Sequence, residues 1–127
     1  MSALRYSRVW YLVGGVLTLI VIVTSLMPAR DLPHVGLSDK AEHLISYAGL
    51  ALWFGGLIEP RRFVKLALAL LVLGGAMEIA QGLMGMGREA DWLDFRADAL
   101  GAVLGLSLCL AGFRHWANWL EQWLNRR

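Results

Sequence analysis

The chain is poor in cysteine, proline and charge, and each shortage narrows the reading. A single cysteine, Cys109, lies inside an apolar run, so no internal disulfide can form and the redox compartment is left open. The three prolines, Pro28, Pro33 and Pro60, all fall between apolar runs, which leaves those runs free to be unbroken helices. Charged residues make up only 17% of the 127 residues against 57% hydrophobic, more apolar surface than a soluble domain of this size can bury. The net charge of +2 is too small, and its basic residues lack the aromatic interleaving, for a nucleic-acid partner. No CxxC, HExxH, GxSxG or phosphate-loop spacing is present, nor an internal repeat, low-complexity tract or domain linker. What remains is a single all-α, polytopic integral membrane domain over residues 1–127, with the lipid bilayer as its first partner.

Four transmembrane spans can be drawn, at 9–27, 39–58, 63–84 and 94–113, each long enough to cross once its polar outer turn is counted. Pro28 and Pro33 end the first span, and Glu59-Pro60-Arg61-Arg62 makes a sharp polar turn between the second and third. Gly85 and Gly87 loosen the end of the third. Arg5 and Arg8 ahead of an apolar run also describe a signal peptide, but the run is longer than a signal core and reads as a retained anchor. Gly14, Thr18 and Ser25 share one face of it and suit packing against a neighbour. In the tail, Trp116, Trp119, Leu120, Trp123 and Leu124 recur at helical spacing with Arg and Glu opposite, which predicts an amphipathic helix along the interface. Tyr6, Trp10 and Tyr11 would form the matching aromatic belt.

Charge sets the orientation. Eight of the twelve basic residues (Arg5, Arg8, Arg61, Arg62, Lys65, Arg114, Arg126 and Arg127) fall at the two termini and the second connection. Arg30, Lys40, Arg88 and Arg96 fall at the first and third connections or the helix turns beside them. Cytoplasmic loops carry the excess of Lys and Arg, so both termini are expected in the cytoplasm.

Three ionisable residues then interrupt the apolar spans at similar depth. Counting about 1.5 Å per residue, His43, Glu78 and Asp98 each fall roughly 6 to 8 Å below the outer surface of the hydrocarbon. Ionisable groups so placed are costly, face a bundle interior or wet cavity, and mark function by default. Around them, Asp39, His43 and Tyr47 recur every four residues on one stripe, able to orient an imidazole and tune its charge. A structural histidine bonded to a carboxylate explains the same stripe. Asp39 and Glu42 also have capping-box spacing for the second helix. Glu78 and Gln81 share a face of the third helix, and the plain role for Gln81 is a hydrogen bond across the bundle. Asp91, Asp94 and Asp98 share a face of the fourth, continued by Gly101 and Gly105 as a close-packing seam. The three acids cannot all be ionised without a counter-charge from Arg88, Lys40, protonated His43 or a bound cation.

These residues carry a resemblance. The order Asp-Lys-x-x-His-x-x-x-Tyr over Asp39 to Tyr47, Glu-x-x-Gln over Glu78 to Gln81, and Arg88 followed by Asp94, Asp98, Gly101 and Gly105 resembles the VanZ-like membrane protein family, across residues 28–106. At the position of Asp98 that family typically carries Asn, so this chain departs there and adds an acid. The resemblance implies a small multi-helix protein of the bacterial cytoplasmic membrane and cell envelope. The family's namesake is associated with low-level resistance to the glycopeptide teicoplanin, and its biochemical activity is not established.

Three functions follow as expectations. The first is an envelope protein whose outward-facing polar pocket (Asp39, Lys40, His43, Tyr47, Glu78, Gln81, Arg88, Asp91, Asp94 and Asp98) binds a lipid-linked envelope precursor or phospholipid. The second is a membrane-embedded enzyme acting on a phospholipid or polyprenyl-phosphate head group, in which His43, Glu78 and Asp94 can hold a hard divalent cation. Lys40 and Arg88 would then grip the phosphate. The third is a small proton-coupled transporter, which with four helices would have to oligomerise.

Overall fold

The computed structural model describes residues 4–27, 36, 38–85 and 91–126, which form five α-helices and two single 3-10 turns, with no strand among them. The helices are α1 (Ser7–Leu26), α2 (Asp39–Gly55), α3 (Phe63–Met84), α4 (Trp92–Leu110) and α5 (Trp116–Asn125). Two helical segments, Ser7–Leu26 and Pro60–Met84, are long and apolar enough to cross a membrane. A third counts if α4 and the segment after it, bent from it by 82°, are taken together.

Local chemistry sets most boundaries. Ser38, not Asp39, caps α2: its hydroxyl accepts the Ala41 amide at 3.2 Å, which makes Asp39 the first helical residue. The expected Asp39–Glu42 capping box is therefore not formed, and both acids instead sit in the first turn, where they favour the positive end of the helix dipole. Asp91 caps α4 by accepting the Leu93 amide at 2.8 Å, which starts that helix two residues ahead of the expected Asp94. The polar connection at Glu59 closes as a 3-10 turn over Pro60–Arg62, with Arg61 paired to Glu59. Gly85 ends α3 in the left-handed conformation at φ +62°, a backbone that a residue with a Cβ adopts at a penalty. Gly87, Pro28, Pro33 and Arg88 lie outside the described residues.

The helices pack into one bundle, with α2 against α4 as its most extensive pairing. An ideal Cβ built on Gly101 would fall on the carbonyl oxygen of Leu44, and one on Gly105 would fall on that of Ala48. Only glycine lets the two backbones approach this closely. Around this line Tyr47, Leu50, Ala51, Ala102, Leu106 and Cys109 make the core, joined by Phe63 and Leu70 of α3. On α1, Gly14 leaves room for the Phe54 ring, which would lie 2.7 Å from a Cβ there.

A second cluster at the other end corrects two expectations. Trp10, read as part of a lipid-facing belt, is buried, and Trp116, read on the apolar face of the tail, packs with it at 5.7 Å between ring centroids. Trp53 completes the trio, its indole N–H donating to the Trp10 carbonyl at 2.9 Å while that of Trp116 donates to Leu52 at 2.9 Å. Both N–H groups thus find acceptors inside the protein. In α5 the inward face is Ala117 and Glu121, while Trp119, Leu120, Trp123 and Leu124 remain exposed. Glu121 accepts the Arg5 amide at 2.7 Å, the Tyr6 amide at 3.0 Å and the Trp10 indole at 2.6 Å. It clamps the start of α1, which has no side-chain cap of its own. Burial raises its carboxyl, but the Trp10 indole and the Tyr6 and Arg5 amides outweigh that and hold it below the usual range.

Candidate functional site

The first turns of α2 and α4 meet the last turns of α3 at one end of the bundle. Because Ser38 takes the capping role, the Asp39 side chain is free to run along the helix toward His43, one turn on, with Tyr47 a turn deeper. Exposure falls along this stripe, from 55% for the Asp39 side chain to 10% for His43 and a fully buried Tyr47. Asp94 and Asp98 line the facing surface of α4, both buried.

Two polar layers result. In the outer one, Lys40 Nζ lies 2.7 Å from Asp91 Oδ2, touches Asp94 Oδ1, and is 3.9 Å from Asp39 Oδ2. One ammonium thus answers three acids. Asp91 lies outside the helix it caps, and the Lys40 ammonium, then the Leu93 amide, hold its carboxyl below the usual carboxylate range. In the inner layer, His43 Nδ1 meets Asp98 Oδ1 at 2.7 Å, an arrangement in which the ring N–H donates to the carboxylate. The other ring nitrogen, Nε2, faces Asp94 Oδ2 at 3.7 Å and Asp39 Oδ2 at 3.8 Å. His43 therefore joins the layers.

Glu78 reaches the site from α3. Its Oε2 accepts the Asp91 backbone amide at 2.9 Å, which ties the end of α3 to the start of α4. Its Oε1 has no hydrogen-bond partner, and neither do Asp98 Oδ2 and the Tyr47 hydroxyl, all three being buried. Such groups carry the full penalty of lost hydration. Ligand atoms of His43, Glu78 and Asp98 lie within 4.8 Å of one another, and so do those of Asp39, His43 and Asp94. The expected trio of His43, Glu78 and Asp94 is thus divided between two groups that share the histidine.

Gln81 is engaged elsewhere. Its amide donates to the Ser25 carbonyl at 2.7 Å and ties α3 to α1, the cross-bundle bond that its position suggested. Arg88, the other expected member, lies outside the described residues.

Two features of the site were not anticipated. An ideal Cβ at Gly74 would lie 2.9 Å from Asp98 Oδ2, so this glycine makes the hollow in α3 that receives the aspartate. The signal was the spacing Gly74 to Glu78, one turn apart on a single face. The second is a groove of about 430 Å³ between α3 and α4, walled by Leu68, Leu71, Val72, Gly75, Ile79, Trp92 and Phe95 and lined at one end by Glu78 and Asp91. Nothing in the local pattern of either helix marks this groove, since its walls come from residues of both. No family model, curated protein or solved structure matches this chain.

Proposed function

We propose that the chain is a bacterial cytoplasmic-membrane protein of four spans, α1 to α4, that takes the head group of a lipid-linked ligand into a polar pocket at the outer face. At about 1.5 Å per residue α2 and α4 are roughly 25 and 28 Å long, a little short of the ~30 Å hydrocarbon, so in this reading they cross where the bilayer thins around their polar first turns. The excess of Lys and Arg puts both termini in the cytoplasm, with α5 along the inner interface, its exposed Trp119 and Trp123 toward lipid.

The observation that carries the reading is the groove between α3 and α4, apolar along its walls and acidic at Glu78 and Asp91. An acyl or prenyl chain suits the walls, and a head group rich in hydroxyl or amino donors suits the carboxylates, as in an envelope precursor or phospholipid. The resemblance to VanZ-like proteins points to the same compartment, because glycopeptides act outside the cytoplasmic membrane. Native mass spectrometry of the purified protein tests it. Wild type should retain a bound lipid, and Gly75→Leu and Ile79→Trp, which fill the groove, should lose it. Equal lipid retention in the filled variants would refute the reading.

A second reading, catalysis on the same head group, is favoured by His43 alone. An imidazole fixed by Asp98 on one nitrogen and facing two carboxylates on the other is oriented to move a proton. Turnover of a phosphorylated lipid that stops in His43→Gln, with lipid retention unchanged, would establish it.

A further inference from the structure

We infer that His43, Glu78 and Asp98 form a binding site for a divalent transition-metal ion, set in the inner polar layer where α2, α3 and α4 meet. The three residues come from three different helices, and their ligand atoms already lie within 4.8 Å of one another. Acidic neighbours alone would not make a site. The pointer is the set of unpartnered oxygens: Glu78 Oε1, Asp98 Oδ2 and the Tyr47 hydroxyl are all buried without a hydrogen-bond partner. Glu78 and Asp98 are 7% and 1% exposed, so bulk water does not answer for them. The Glu78 and Asp98 carboxylates converge on one space, with Tyr47 one turn below His43 on the same stripe. Gly74 keeps that space open, since a Cβ there would crowd Asp98 Oδ2.

Charge supports the assignment. Lys40, the cation of the outer layer, is committed to Asp91, Asp94 and Asp39. Among the described residues no Lys or Arg pairs with Glu78 or Asp98. A bound divalent ion would neutralise two carboxylates and satisfy their free oxygens at once. One imidazole nitrogen with carboxylate oxygens suits Mn²⁺ or Zn²⁺ better than Mg²⁺ or Ca²⁺, which prefer all-oxygen sites. Ligand atoms about 2.0–2.2 Å from a metal sit roughly 3–3.6 Å from one another, so Glu78 must draw in from a set spread over up to 4.8 Å while His43 Nδ1 and Asp98 Oδ1, now 2.7 Å apart, must part slightly. A ligating nitrogen carries no proton, so the ion displaces the one that His43 Nδ1 shares with Asp98 Oδ1: from a neutral ring it is taken up at Nε2, and from an imidazolium, already protonated at Nε2, it leaves to solvent. His43 Nε2–H is then left facing Asp94 and Asp39, the carboxylate support that metal-bound histidines usually have.

The site does not depend on the lipid reading, and the test keeps them apart. Purified full-length protein, stripped with chelator in detergent, is titrated with MnCl₂ and followed by electron paramagnetic resonance. The expected result is one Mn²⁺ per chain with nitrogen coupling from a single imidazole. Binding should weaken about tenfold or more in Glu78→Gln and in Asp98→Asn, and the nitrogen coupling should vanish in His43→Gln. Gly75→Leu should bind Mn²⁺ as wild type does, even after losing its lipid, and Asp39→Asn, which leaves Asp94 beside His43 Nε2, should weaken binding less than Glu78→Gln does. Should a variant fail to fold, the nitrogen coupling in wild type still decides. Absence of nitrogen-coupled Mn²⁺ in wild type would overturn the proposal. So would a loss of binding in Asp39→Asn that Glu78→Gln does not share, because the ion would then sit in the outer layer.

Discussion

Replacing Gly101 by alanine tests the close approach on which the polar site rests. A Cβ there would fall on the Leu44 carbonyl oxygen and within 3.0 Å of the Ala48 nitrogen. Both are backbone atoms, so no side-chain rotation relieves the overlap and α2 must move away from α4. Gly49 supplies the control: it is also helical, on α2, but outside its chain neighbours and its own helix backbone no heavy atom lies within 4 Å of a Cβ built there. Alanine is favoured over glycine in a helix by about 1 kcal/mol, a gain both variants share. Subtracting one from the other leaves the packing penalty, about 1–3 kcal/mol for an added methyl in a tight interface. Gly49→Ala should therefore match or exceed wild type, while Gly101→Ala falls below Gly49→Ala by that amount.

For a chain of this length that difference corresponds to several degrees in melting temperature, about 2–8 °C per kcal/mol. The assay is thermal unfolding in one detergent, followed by intrinsic tryptophan fluorescence. Leu44 is the residue after His43, so the same displacement should draw His43 from Asp98, now 2.7 Å apart, and alter the imidazole nitrogen resonances. Equal melting temperatures for the two alanine variants would refute the argument, because the closeness of α2 and α4 would then not be limited by glycine.

Three further outcomes are expected. In a Cys109→Ser background, Ser38→Cys should react with a membrane-impermeant thiol reagent on intact cells and Arg61→Cys should not; the reverse pattern would invert the topology. Glu121 has a depressed carboxyl, so its stabilisation is complete above the unfolded value of about 4.3 and is lost as pH falls through the lower folded value. Melting temperature should drop over that acidic window in wild type and stay flatter in Glu121→Gln, and identical pH profiles would remove Glu121 as the clamp of α1. Lys40→Met should destabilise by about 1–2 kcal/mol, less than a buried pair would, since the Lys40 side chain is 42% exposed. Adding Asp94→Asn to Lys40→Met should recover part of that loss in denaturant unfolding; strictly additive losses would show that the two do not act as a pair.

How much of this was legible follows from the range over which each pattern acts. Helical periodicity is local, so the stripe Asp39, His43, Tyr47 and the line Asp94, Asp98, Gly101, Gly105 could be read before any contact was known. Caps are local too, but Ser38 and Asp39 are both good capping residues in adjacent places, and composition alone does not choose between them. The end of α2 was drawn three residues long for a tertiary reason: Gly56 lies against the Trp116 indole, which takes the space a further turn would need. Glu121 shows the same limit more sharply. Its own helix presents it on the polar face, and the amides it serves are 115 and 116 residues away, beyond any periodic signal.

Within the site, depth and motif order lead to different groupings. Rise per residue sets His43, Glu78 and Asp98 at one level, and the ligand atoms of these three converge in the fold. Motif order instead joined Asp94 to His43 and Glu78, although Asp94 sits one turn nearer the surface, where Lys40 reaches it. A carboxylate's partner in a helical bundle is thus decided first by its height along the axis and only then by its face. The single turn between Asp94 and Asp98 separates an acid already answered by lysine from one with an oxygen still unpartnered. That difference is why the inner layer, rather than the more acidic and exposed outer one, is where an ion is needed.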